Sequence, residues 1–291
     1  MTAVRGIDEI APYHRAELDG VRIYYRKAGG GEPVVLLHGF PQTSYAWRKV
    51  IPTLAERYTV IAPDLRGCGA SDRPDSGYDK RTVARDINLL LEHLGFDRIN
   101  LVAHDVGMMT GYAFASRYPD HVKRLVLMEA ALAGLGLEKL YDADKYPRMY
   151  HLPLFEAPNG LAEALIVGRE AMFVSHFMGQ QTYDPAGPDQ DALDEYARCL
   201  AAPGALRGGI AYFRSHHVDA AHNREHARTK LPMPVLTMGG TASFGADLEG
   251  EIRPLAVNLR SVMIDQCGHY LAEEQPQRVV DELFDFLDAQ A

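Results

Sequence analysis

A carboxylate can act as a nucleophile when the chain presents it at a tight bend, and one stretch of this sequence fits that demand. Leu101-Val102-Ala103-His104-Asp105-Val106-Gly107 reads as a buried strand, then small-x-Asp-x-Gly, then a helix, the context of a nucleophile elbow with Asp as its reactive residue. Ala103 and Gly107 matter because a sharp turn brings helix and strand together and bulk there would clash. An Asp opening a helix is also an ordinary N-cap, and these seven residues alone fit either reading. An aspartyl ester must afterwards be cut by water, which needs a base. His269, in Cys267-Gly268-His269-Tyr270 just after the last strand-like run, is placed to take that proton, although it is one of 12 histidines. A second acid must fix the imidazole tautomer and hold the imidazolium. Glu129 directly follows the apolar run Leu125-Val-Leu-Met128, so it ends a buried strand. That favours it over Asp247, which lies further out at a helix start. A fourth candidate, His38-Gly39-Phe40-Pro41, follows another buried strand. It also fits a plain turn, common anywhere, and Pro41 is a candidate for a cis peptide.

The elements that must hold these residues alternate. Tyr13–Leu18 and Val21–Arg26 form a hairpin about Asp19-Gly20, an Asp-Gly step being a hairpin signal. Continuous apolar runs at Pro33–His38, Tyr58–Ala62, Ile99–Ala103 and Arg124–Met128 suit strands buried on both faces. Helices are predicted at Tyr45–Arg57, Lys80–Leu94 and Gly107–Arg117, the second with Val83, Ile87, Leu90, Leu91 and Leu94 at helical spacing and a stop at Gly95. This rhythm predicts a parallel βαβ sheet with right-handed crossovers. From about Ala131 to Lys230 no clear strand is visible. That stretch is helical, aromatic and histidine-rich, and it reads as an inserted cap. Strands return at Pro234–Met238 and Leu259–Asp265, and a helix at Pro276–Leu287 closes the chain.

Bulk properties narrow the function. The chain has 291 residues, 47% of them hydrophobic, and a net charge of -9. That is enough to bury a large core, and the negative charge disfavours nucleic acid and anionic membrane as partners. Cys68, Cys199 and Cys267 are widely spaced and odd in number, so neither a disulfide framework nor a zinc site is expected. The N-terminus carries no apolar segment of the signal-peptide kind, and no run approaches eighteen apolar residues. A cytoplasmic protein is the expectation. Gly29-Gly30-Gly31 precedes a strand and lacks the Gly-Lys-Ser/Thr of a phosphate loop. With no ligand set or nucleotide fingerprint, no cofactor and no metal are expected.

Together these motifs resemble the epoxide hydrolase and dehalogenase branch of the α/β-hydrolases, and the likeness covers nearly the whole chain. It rests on His38-Gly-Phe-Pro41, Asp64-Leu-Arg-Gly-Cys-Gly-Ala-Ser71, Ala103-His-Asp-Val-Gly107 and Gly268-His269. The likeness is greatest to Cif-type epoxide hydrolases, which place the acid after the strand following the elbow, as in Met128-Glu129-Ala130, and a cap His after an aromatic, as in Tyr150-His151. The more usual acid position in the superfamily, after Pro234–Met238, reads Gly239-Gly240-Thr241-Ala242-Ser243 and holds none. The resemblance implies an α/β-hydrolase fold: a core from residues 1–130 and 232–291, with a helical cap at 131–231. It implies an oxyanion hole from the Phe40 and Val106 amides, which would stabilise charge on the ester oxygen. It implies a reaction in which Asp105 attacks an epoxide carbon, cap donors protonate the leaving oxygen, and water activated by His269 frees a vicinal diol.

One position departs from that pattern. The family's cap Tyr directly precedes an Arg, and here Ala211-Tyr212-Phe213-Arg214 puts Phe213 there. Phe cannot donate a hydrogen bond. Tyr212 is one residue off, about 100° around a helix, and a structural part suits it better than a catalytic one. His151 remains as a donor. Val106, Met109, Leu152 and Phe213 predict an apolar pocket, so the expected partner is an apolar or aromatic small molecule. A dehalogenase is the alternative. Its substrate-holding Arg residues after the nucleophile match Val106 and Met109, and its halide-binding Trp matches Leu152, so it fits less well. A ligand-binding protein that has lost its chemistry is a third reading. The resemblance also admits a homodimer formed through the cap.

Overall fold

The computed structural model describes residues 6–289. The ends of the expected core segments, 1–5 and 290–291, lie outside the described residues. Eight strands form one sheet: β1 Tyr13–Leu18, β2 Val21–Ala28, β3 Pro33–Leu37, β4 Thr59–Pro63, β5 Ile99–His104, β6 Val122–Met128, β7 Leu231–Gly240 and β8 Ala256–Ile264. Their order is β1-β2-β4-β3-β5-β6-β7-β8. The β1–β2 hairpin and the β2–β4 pair are antiparallel, and every later pair is parallel. Strand alternation gives the sheet two apolar faces. Val35, Leu37, Leu101, Ala103, Leu125 and Leu127 join one core cluster, and Val34, Leu36, Val102, Val126 and Met128 join the other. That is why these strands read as unbroken hydrophobic runs.

The helices of the core are α1 Ile7–Ile10, α2 Ile51–Leu54, α3 Lys80–Leu94 and α4 Val106–Arg117. In α3 the Asp79 carboxylate caps the Thr82 N–H and Gly95 closes the helix at φ 73°, as the pattern predicts. The single helix expected over Tyr45–Arg57 is instead broken. A 3-10 turn, Ser44–Trp47, opens on the Thr43 hydroxyl, and α2 restarts with Pro52 in its first turn. Pro52 has no N–H to continue the earlier ladder but is tolerated where a helix begins.

No strand lies between β6 and β7. The chain there runs through α5 His151–Glu156, α6 Leu161–Ile166, α7 Glu170–Gly179, α8 Gln190–Leu200, α9 Ala205–Arg214 and α10 His216–His226. The core resumes with β7, α11 Gly245–Ile252, β8, α12 Leu271–Glu274 and α13 Pro276–Leu287. Two ion pairs tie this insert to the core, one buried and one at the surface. Lys80 Nζ of α3 meets Asp219 of α10 at 2.7 Å and donates to the Tyr212 carbonyl at 2.7 Å. Arg48 reaches Glu273 of α12 and Asp189, the N-cap of α8. No helix of the described residues is long and apolar enough to cross a membrane.

Parallel pairing in register carries the elbow to its neighbours. Leu37 faces Ala103 and His104 faces Met128, so β3, β5 and β6 end together. Residues just past them therefore cluster outside the carboxyl edge of the sheet, where open α/β sheets bind their ligands.

Candidate active site

Asp105 sits between β5 and α4 at φ 54°, ψ -124°. A non-glycine residue there is strained, and its surroundings hold it: its N–H donates to the Met128 carbonyl at 3.0 Å, and its carbonyl accepts from Met109 N–H at 3.1 Å. The helix must leave the sheet at close quarters. A Cβ on Gly107 would stand 2.5 Å from the His38 carbonyl oxygen. The reading of Asp105 as an ordinary N-cap is not what the backbone adopts, because its side chain caps no amide of α4. Instead Oδ1 accepts the Phe40 N–H at 2.7 Å. Val106 N–H is the next amide along, at the first position of α4, where no intrahelical acceptor exists. A Cβ on Gly39 would lie 2.5 Å from Asp105 Cβ, so the loop can approach only as glycine. The Phe40–Pro41 peptide is cis.

His38 braces that loop. The Leu65 N–H donates to its Nε2 at 3.0 Å, so the proton sits on Nδ1, which donates to the Gly39 carbonyl at 2.9 Å. Burial lowers its pKa. In the Asp64–Ser71 stretch, Asp64 accepts from Ser44 N–H and Ala70 N–H. That motif is therefore a brace for the loops around the elbow.

His269 faces Asp105 on one side and Glu129 on the other. Its Nε2 lies 3.7 Å from Asp105 Oδ2, and its Nδ1 lies 3.4 Å from Glu129 Oε2. Glu129 is 1% exposed, at φ 51°. Oε1 accepts Gly240 N–H at 2.8 Å and Oε2 accepts the Ser243 hydroxyl at 2.7 Å. Thus the loop after β7, which holds no acid, supplies donors to an acid from β6. Burial opposes charge on His269, but the Glu129 hydrogen bond and the Asp105 and Glu129 charges outweigh it and raise its pKa. The His104 ring lies tilted at 4.7 Å from the His269 ring, and its Nε2 meets the His269 carbonyl at 2.8 Å. A carbonyl only accepts, so this nitrogen carries the proton. Burial keeps the His104 ring neutral, with a pKa of about 3.

Above the elbow the Phe40 ring is the hub of an aromatic wall. Phe155, Phe177 and Phe213 meet it edge-on at 5.4, 5.5 and 5.4 Å, and Phe173 stands at 6.4 Å. His151 joins the wall, 4.9 Å from Phe177 and 5.6 Å from Phe213. Burial pushes its pKa down to about 4, so it is a neutral imidazole, and its Nδ1 has no partner among the described residues. Met109, one turn past Asp105 on α4, and Leu152 on α5 are buried. Phe155, Phe173, Ser243 and His104 were not singled out from sequence. Only the i, i+4 pairs His151/Phe155 and Phe173/Phe177 hint at the first two.

Tyr212 is a correction to the candidate set. Its ring is fully buried, its hydroxyl donates to the Arg66 carbonyl at 2.9 Å, and it meets Tyr78 edge-on at 5.4 Å. One residue along α9 turns it away from the wall that Phe213 joins, so its hydroxyl is spent on the core. Asp79, Asp219 and His222 bring ligand-type atoms within 4.8 Å of one another. The Asp79 carboxylate accepts from Thr82 and the Asp219 carboxylate from Lys80. Cys68, Cys199 and Cys267 are free.

The chain is similar to known proteins along most of its length. A family model described as alpha/beta hydrolase fold matches residues 32–276. The soluble epoxide hydrolase of Corynebacterium sp. (strain C12) is 36% identical over 279 residues, 94% of this chain and 96% of that protein. A fluoroacetate dehalogenase of Burkholderia sp is 29% identical over 269 residues, 89% of this chain and 88% of that one. Among solved structures, Cfl2 from Burkholderia cenocepacia superposes with a TM-score of 0.89 at 38% identity, covering 94% of this chain and 95% of that one.

Proposed function

The chain belongs to the α/β-hydrolase family, on its epoxide hydrolase branch, and from that premise we propose that it opens an apolar epoxide to a vicinal diol through an ester on Asp105. Residues 131–231 are the cap of this reading, and the Phe40–Phe213 wall holds the substrate's apolar body. Asp105 Oδ2 attacks an epoxide carbon, and His151, neutral and part of the wall, hydrogen-bonds the leaving oxygen. The Phe40 and Val106 amides carry the charge that develops on the ester oxygen. His269 then takes a proton from water, which attacks the ester carbonyl, while Glu129 steadies the imidazolium.

The observation that carries this reading is the span of His269 between Asp105 and Glu129. At 3.7 Å the Nε2–Oδ2 separation is too long for a hydrogen bond, so Nε2 is not spent on the nucleophile and is free for a water. The test is a single turnover of styrene oxide by excess enzyme in water labelled with heavy oxygen. The ester route puts the label in Asp105 and leaves the first diol unlabelled. Label in that first diol would mean direct attack by water.

The dehalogenase reading draws on the 29% identical relative. It is disfavoured because Val106, Met109 and Leu152 offer no side-chain donor to a departing halide or a substrate carboxylate. Release of fluoride from fluoroacetate would reverse that order. Reversible binding of epoxides with no adduct on Asp105 would favour a ligand-binding protein.

A further inference from the structure

Ring opening leaves an alkoxide, and the wall above Asp105 offers it one donor rather than a pair. His151 is present, and Phe213 fills the place of its partner without a hydroxyl. The buried phenols of the protein are mostly committed: Tyr78 donates to the Pro74 carbonyl at 2.8 Å, Tyr196 to Glu273 at 2.5 Å, and Tyr212 to Arg66. Tyr270 is not. Its side chain is 1% exposed, and its hydroxyl is buried with no partner among the described residues. A hydroxyl withdrawn from water and left unsatisfied is costly, and such groups call for a reason.

Its position supplies one. The Tyr270 ring stands edge-on to His269 at 4.8 Å and lies 6.1 Å from His104, the residue before the nucleophile. Burial pushes its pKa well up, and the negative charge of Asp105 adds to the rise. The hydroxyl thus belongs to a ring packed on His269, beside the turn that carries the nucleophile.

We propose that Tyr270 is the second donor of ring opening, its hydroxyl hydrogen-bonding the epoxide oxygen beside His151. The assignment rests on the epoxide reading above. The bond from Asp105 Oδ2 to carbon forms as the carbon–oxygen bond breaks. The freed electron pair stays on the oxygen, which takes the phenolic proton and becomes the first hydroxyl. Hydrolysis of the ester then returns Asp105 as a carboxylate, gives the second hydroxyl and releases one proton, which restores the phenol. The timing is favourable, because the Asp105 charge that opposes a phenolate disappears as the ester forms.

The test separates the two steps. In His269→Gln, styrene oxide should accumulate as an ester on Asp105, read by intact-protein mass. In His269→Gln/Tyr270→Phe, ester formation should slow about a hundredfold or more, the lower end of proton-transfer catalysis. The single variant Tyr270→Phe, with His269 intact, should hydrolyse a preformed ester at the wild-type rate. Equal rates of ester formation with and without the hydroxyl overturn the assignment. So does a Tyr270→Phe enzyme slowed in both steps, which marks a packing defect around His269. If no ester appears in His269→Gln, the epoxide reading itself falls and takes this donor with it.

Discussion

Ser243 and His269 share one oxygen of Glu129: the serine hydroxyl donates to Oε2 at 2.7 Å, and His269 Nδ1 faces the same atom at 3.4 Å. The acid is thereby aimed from both sides, with Gly240 N–H holding its other oxygen. Glu129→Gln keeps the shape and removes the charge that steadies the imidazolium. The expected result is a fall of about 10³–10⁴ in turnover, as for the equivalent Asp-to-Asn change in a catalytic triad. Ester on Asp105 should build up, because the loss falls on the hydrolytic step. Turnover within tenfold of wild type would remove Glu129 from the machinery.

The pH profile follows from which histidine is the base. His269 acts only when neutral, and its pKa is raised. Activity should therefore fall as the medium is acidified through a value above the ordinary imidazole one of about 6.5. His151, at about 4, stays neutral across that range and contributes no limb near neutrality. In Glu129→Gln the acidic limb should move to lower pH, since the neighbour that favours the imidazolium is gone. The measurement is kcat/KM against pH for both proteins, and an unmoved limb contradicts the pairing.

Tyr212 separates structure from chemistry. Its hydroxyl serves the Arg66 carbonyl in the core, while its ring meets Tyr78. Tyr212→Phe leaves that carbonyl without its donor and should cost about 1–3 kcal/mol of stability, read by denaturant unfolding. Ester formation should stay within about twofold of wild type, because no proton for the substrate comes from there. A large loss of activity at unchanged stability would restore Tyr212 as a cap donor.

Much of this arrangement is local in the chain and so was legible in it. The elbow around Asp105 is seven contiguous residues, and Glu129 and His269 each follow directly on a strand-like run. What the sequence hid lies in contacts between distant segments. Ser243 reaches Glu129 across 114 positions, and no spacing rule connects them. The Phe155, Phe173 and Phe177 rings read as ordinary helix core until Phe40 brings them together over the nucleophile. Tyr270 reads as a hydrophobic neighbour of His269, and only its orphaned hydroxyl distinguishes it. The helix expected at Tyr45–Arg57 is broken for a local reason, Pro52, which has no N–H to continue the ladder.

Glu251 stores a penalty outside the site. It is buried in α11, its Oε2 has no partner among the described residues, and Lys139 approaches only to 3.5 Å. Burial pushes its pKa from 4.5 up to about 7. A raised carboxyl pKa means that the folded state binds the proton more tightly, so stability is lost as pH rises from 4.5 through 7 and stays lost above. Glu251→Gln should therefore raise Tm at pH 8 by the equivalent of at most ~3.5 kcal/mol, at about 1.4 kcal/mol per pKa unit. The gain should vanish near pH 4, where both proteins are neutral at this position. A gain that is equal at both values would point to packing rather than charge.

Phe213 offers the last test, because its ring lies 5.6 Å from His151 and 5.4 Å from Phe40. Phe213→Tyr adds a hydroxyl beside the cap donor. If that edge faces the oxirane, ester formation in the His269→Gln background should quicken. The size of the gain depends on Tyr270. Where Tyr270 already donates to the same oxygen, a third donor adds little. Where Tyr270→Phe has removed it, the new hydroxyl should recover most of the lost rate. The two changes should thus be strongly non-additive, as expected of residues serving one atom. Additive effects would mean that the two positions act on different atoms. No gain in either background, with stability within 1–3 kcal/mol of wild type as overpacking allows, would place the substrate away from this side of the wall.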